Sequence, residues 1–155
     1  MLDTSRSLDA VQLSVQMAFA CENVSSDSGG PVTFQNVMDG IAAADFPAPT
    51  GRWFAIFCFF SQVEKTVKNC RVAIADQRGE VIAQTGLKDM RFTPESQIAR
   101  NAVAFHGFAW PHPGLYFIKF IANRDDVLAS FPMWVQHAPS PAEGSAAESA
   151  QQSPT

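Results

Sequence analysis

Between positions 11 and 21 the bulky apolar side chains fall on odd positions (Val11, Leu13, Val15, Met17, Phe19, Cys21), while the even positions carry Gln12, Ser14, Gln16, Ala18 and Ala20. Period-two alternation fits a strand with one buried face, so Val15 and Phe19 are expected inside. Ser25, Ser26, Gly29, Gly30 and Pro31 within positions 23–31 predict a turn or loop. Positions 32–43 resume as a second strand, less regular toward its end. A short helix over 39–44 is an alternative that its alanines favour and Gly40 weakens. Pro47, Pro49 and Gly51 end that segment. Positions 52–62 then form a third strand that is apolar at both parities, with Trp53, Phe57 and Phe59 on one side and Phe54, Ile56 and Phe60 on the other. Such a strand is either covered on both faces or turned toward a partner.

The second half repeats the alternation in shorter pieces. Positions 70–75 and 80–84 flank Asp76, Gln77, Arg78 and Gly79, a hairpin pattern in which Ile74 is expected in the core. Positions 63–69 read as a loop and 85–96 as irregular. Strands are predicted over 97–110, 115–122 (with Ile118 inside) and 127–135, separated by turns at 111–114 and 123–126. Pro132 lies inside the last of these, which places it at an edge or a bulge. About seven to eight short strands with turn signals between them predict an all-β, two-sheet β-sandwich of the Ig-like kind. Tyr116, entering its strand behind Pro113 and Gly114, either ties its hydroxyl to nearby backbone as in a tyrosine corner or is simply core. The expected organisation is a flexible N-terminus over 1–10, the sandwich over 11–137 and a disordered tail over 138–155, where no bulky apolar residue remains.

Composition supports a packed globule, because 46% of residues are hydrophobic and 17% charged. With thirteen Phe against one Tyr, most rings carry no polar group and belong inside. The net charge is -4 and no segment concentrates Lys and Arg, so neither nucleic acid nor an anionic membrane is expected as a partner. The opening residues contain Asp3, Arg6 and Asp9 without an apolar run, and the apolar stretch 53–60 is too short to span a bilayer. A cytoplasmic location is therefore expected. Cys21, Cys58 and Cys70 are odd in number and widely spaced, which fits buried small hydrophobes better than a disulfide framework.

Several segments together resemble a known family. They are Val32-Thr-Phe-Gln-Asn-Val-Met-Asp-Gly-Ile41 leading to Asp45-Phe-Pro-Ala48, the strand at Trp53, the hairpin from Asp76 to Glu80, the Pro113-Gly-Leu-Tyr116 entry and the closing strand to Val135. Their order is similar to that of a widespread family of uncharacterised bacterial β-sandwich domains, a domain of unknown function. The resemblance covers most of 11–136 and rests on turns and strand edges, so it implies a fold and no catalytic residue.

No motif assembles chemistry. His106, His112 and His137 show no metal-ligand spacing with one another or with the cysteines. Cys58 sits between Phe57 and Phe59, where desolvation disfavours a thiolate nucleophile. Asp125 and Asp126 belong to a polar turn, and Ser28 to Pro31 lacks the lysine of a phosphate loop. No cofactor, metal ligand or catalytic residue is assigned. The leading expectation is an interaction or scaffold domain, self-associating or binding a protein partner through a sheet face or edge, with Phe54, Ile56 and Phe60 as the candidate interface. The alternatives are a ligand-binding sandwich with its mouth at loops 23–31 and 88–96, and a metal-dependent hydrolase using His106 or His112.

Overall fold

The computed structural model describes residues 13–26, 28 and 31–139. The described chain is all-β, with thirteen strands and no helix. One sheet holds β1 (Leu13–Ser26), β2 (Val32–Met38), β5 (Trp53–Ser61) and β10 (Ile98–Phe105) in the order β10-β5-β1-β2. A larger sheet holds β3 (Gly40–Ala43), β7 (Arg71–Ala75), β8 (Val81–Gly86), β12 (Gly114–Ala122) and β13 (Asp126–His137) in the order β3-β13-β12-β7-β8. Two small ribbons pair β4 (Ala48–Pro49) with β11 (Ala109–Trp110) and β6 (Lys65–Val67) with β9 (Met90–Phe92). Eight strands have five or more residues, close to the expected number. The other five, of two to four residues, are too brief to show a periodicity.

Side chains of the two larger sheets meet in one core. The Phe57 ring of β5 lies 5.4 Å from Phe120 of β12 and 5.4 Å from Phe131 of β13, and Phe59 lies 4.8 Å from Phe120. At one end Trp53 stacks on Phe105 at 4.6 Å and on Trp110 at 5.9 Å, and Trp110 packs edge-on to Tyr116. Phe57, Ile74 and Ile118 are fully buried, as the alternation predicts.

Two expectations need correction. The odd positions of β1 do not share one face. A bulge between Val15 and Met17 inserts Gln16, so Val15 opposes Phe59 of the core parity while Met17 opposes Cys58 of the other. Beyond the bulge the even residues Ala18 and Ala20 face the core, opposite Phe57 and Ala55, and Phe19 and Cys21 point outward. Val15, expected inside, is 44% exposed. The second correction concerns 39–44. No helix forms there. After Met38 the chain leaves the β5 sheet, and β3 pairs in parallel with β13 from Trp134↔Gly40 to His137↔Ala43. Gly40 is needed for that approach, because a Cβ there would lie 2.9 Å from the Trp134 carbonyl oxygen.

Other expectations hold. The 76–79 turn closes the β7–β8 hairpin, with the Asp76 carboxylate accepting from the backbone N–H of Arg78 and of Glu80 at 2.9 Å each. Pro132 pairs across to Phe117 where β3 has not yet begun on the other side of β13, so its missing donor costs no ladder bond on that side among the described residues. The Ala138 N–H donates to the Ala43 carbonyl at 2.9 Å. The flexible 1–10 and the disordered tail expected from the sequence fall on residues that, apart from Ala138 and Pro139, lie outside the described ones.

Candidate functional site

The outer face of the β5 sheet carries the candidate interface residues. Because β5 is central, the even parity faces away from the core along its whole length. Cross-strand pairs set four rows on that face. They are Ala104–Phe54–Cys21–Val37, Ala102–Ile56–Phe19, Arg100–Cys58–Met17 and Ile98–Phe60–Ser14. The rows are apolar apart from Arg100 and Ser14. Ile56, Cys58 and Cys21 form a small second core against which Phe19, Val24, Phe34 and Phe54 pack, with the Phe19 and Phe34 rings edge-on at 5.0 Å.

This arrangement separates the three candidate residues. Ile56 is 1% exposed, buried by its own sheet neighbours, whereas Phe54 and Phe60 are half-buried at the two ends of the face. The Arg52 guanidinium sits 5.3 Å from the centre of the Phe54 ring. Around them Met17 is 38% exposed, Ile98 50% and Val37 66%. Sequence reasoning missed these three. Ile98 and Val37 look like ordinary strand residues, and Met17 reaches the face only through the bulge.

The residues weighed for chemistry do not converge. Among the described residues no group of three or more His, Cys, Asp or Glu side chains is placed to hold a metal ion. His106, His112 and His137 are all exposed. All three thiols are buried and unbridged, and burial pushes each above its ordinary pKa, opposed in Cys58 by the charge of Arg100. His112 instead serves Tyr116, whose hydroxyl donates to the His112 carbonyl at 2.7 Å and lies 3.2 Å from its Nδ1. Asp125 pairs with Arg71 at 3.3 Å, and Asp126 accepts from Asn123 within its turn.

These features define an all-β domain with one shared core and an apolar outer sheet face. The chain belongs to the family of unknown function DUF6941, whose model matches residues 16–136. No curated protein matches it. Among solved structures it is similar to the Pseudomonas fluorescens alkylpurine DNA glycosylase AlkC bound to DNA containing an abasic site analog. The likeness has a TM-score of 0.51 at 11% identity and covers 81% of this chain but 30% of that one. At that identity the likeness concerns the fold.

The comparison corrects one expectation. Nucleic acid was set aside as a partner because no stretch of sequence concentrates Lys and Arg, yet the fold recurs in part of a protein solved on DNA. Linear charge density does not by itself say how charges are spread over a folded surface. As for membranes, no helix among the described residues is long and apolar enough to cross one.

Proposed function

We propose that the protein is an interaction or scaffold domain, built as a two-sheet sandwich of the Ig-like kind, that makes its contacts through the outer face of the β5 sheet. The tie from Tyr116 to the His112 backbone, as in a tyrosine corner, supports the Ig-like assignment. The observation that carries the functional reading is the apolar face itself: Phe54 and Phe60 half-buried, with Met17, Val37 and Ile98 exposed beside them. A contiguous apolar patch on a sheet marks a contact surface more often than scattered single residues do. The test is static light scattering of the wild type against Phe54→Ser/Phe60→Ser and against Ile98→Lys. Association that both variants reduce, with the melting temperature of Ile98→Lys unchanged, supports the reading. A wild type that stays monomeric at high concentration, together with a Phe54→Ser/Phe60→Ser variant that unfolds, makes the face internal and ends it.

A second reading is contact with DNA. It is favoured by the likeness to part of a glycosylase solved on DNA and rests on that fold analogy. Fluorescence anisotropy of labelled duplex DNA across a salt series tests it. Affinity that falls steeply with salt supports phosphate contacts, and no binding at low salt removes the reading.

A further inference from the structure

At one end of the sandwich a cleft of about 700 Å³ opens between the start of β1, the end of β5, β6 and the β12–β13 turn. That volume is in the range of small-molecule sites. The strand register shows which of its lining side chains turn inward. Leu13 pairs with Ser61 and Val15 with Phe59, and these two β5 residues have the core parity, so Leu13 and Val15 point between the sheets. On β6, Lys65 pairs with Phe92 and Val67 with Met90; Val67, Met90 and Phe92 are core residues, so Lys65 lies on the core side of its ribbon as well. Across the cleft Asp126 pairs with the buried Ala122, and Leu128, the surplus residue of a β13 bulge, packs against the core. The turn is tied to β6 by the Asn123 N–H, which donates to the Lys68 carbonyl at 2.8 Å. The interior is therefore apolar, with the fully buried Phe59 at its base and Val15 exposed despite its core parity. Two charges stand at the rim. The Asp126 carboxylate is engaged, accepting from the Asn123 side-chain amide at 3.0 Å. Lys65 is half-buried, and because the one ion pair among the described residues joins Arg71 to Asp125, it has no carboxylate partner among them.

We infer that this cleft binds a small amphipathic monocarboxylate, of the class of a medium-chain fatty acid. Its carboxylate meets the Lys65 ammonium at the rim, and its hydrocarbon chain runs inward past Leu13, Val15 and Leu128 toward Phe59. The apolar walls gain from covering a hydrocarbon chain, and the bounded volume suits a medium chain. The unpaired cation selects the head group. A neutral apolar molecule leaves Lys65 without a partner and an amine is repelled by it, whereas a carboxylate forms a charge-assisted hydrogen bond in a partly desolvated place. Asp126 does not reverse that choice, since its carboxylate already has a donor in Asn123. The site lies between the sheets, away from the outer face proposed above as the contact surface, and stands without it.

Isothermal titration calorimetry of the full chain tests this with octanoate and two analogues of the same chain length, octan-1-ol, which is neutral, and octylamine, which carries the opposite charge. Saturable binding of octanoate is expected, with each analogue weaker by at least about tenfold. Lys65→Gln should weaken octanoate by at least about tenfold and leave octan-1-ol unchanged. Val15→Trp, which fills the mouth from an exposed position, should weaken octanoate to a similar extent at an unchanged melting temperature, whereas Ile98→Lys on the outer sheet face should leave it unaltered. The comparison among the three compounds uses the wild-type chain, so it decides whether or not a variant folds. No saturable heat with octanoate, or an analogue that binds as tightly as octanoate, overturns the proposal. So does octanoate binding that survives Val15→Trp and is lost in Ile98→Lys, which would place the ligand on the outer face.

Discussion

Phe57 shows how much a single side chain carries. It is fully buried and touches Phe120 and Phe131 from the opposite sheet, so its ring fills space that no small residue can. Phe57→Ala is expected to cost about 3–5 kcal/mol of unfolding free energy, the usual range for emptying an aromatic core site. Urea titration measures it, and a near-neutral result would mean that the two sheets close over the gap. At this scale the sequence was informative wherever the strand is regular. The parity of Trp53 to Phe60 names the buried side correctly for Phe57 and Phe59. It could not show that Ile56 is covered by its own sheet neighbours while Phe54 and Phe60, of the same parity, stay half-open. That difference depends on Phe19, paired with Ile56, and on Phe34, which packs against the same small cluster only after the strands pair.

Among the elements, β1 is the one whose sequence pattern misleads. Its apolar residues alternate without a break, yet the bulge at Gln16 exchanges the inner and outer faces partway along. Gln16 is therefore a surplus residue in the register. Deleting it should leave a regular strand with every later pair intact and a denaturation midpoint close to wild type. Deleting Ala20 from the same strand should be far worse. It shifts Cys21 and all that follows by one position and turns each side chain to the wrong face. Loss of cooperative unfolding in the Ala20 deletion, with retention in the Gln16 deletion, is the expected pair of results by circular dichroism. Two equally damaged variants would show that Gln16 holds the strand through its own contacts.

Across the whole molecule, the titratable groups with displaced pKa values act in one direction. Burial raises the thiols of Cys21, Cys58 and Cys70 and the phenol of Tyr116. In the unfolded chain the thiols lose protons near their ordinary value of about 8.5, while the folded chain still holds them. Above that pH the unfolded state binds fewer protons than the folded one, so stability falls as pH rises toward the folded values, and it is fully present below about 8.5. Tyr116 adds the same slope from about pH 10. The urea midpoint should be level through neutral pH and decline in the alkaline range. Replacing the three cysteines by Ala should flatten the decline below about pH 10. An unchanged slope in that variant would assign the alkaline loss to other groups.

What the sequence determined by itself is the strand content: where the long strands run, which hairpin turn Asp76 and Gly79 close, and why Pro132 sits where it does. These follow from local rules, namely period-two burial, turn chemistry and the missing proline donor, which act over a few residues. The family resemblance was legible for the same reason, since turns and strand edges carry it. Tertiary structure alone decided the rest. It moved residues 40–43 into a second sheet beside β13, reversed the faces of β1, and gathered Met17, Val37 and Ile98 around Phe54 and Phe60. Each of these outcomes depends on contacts between residues far apart in the chain, and such contacts leave no periodicity to read.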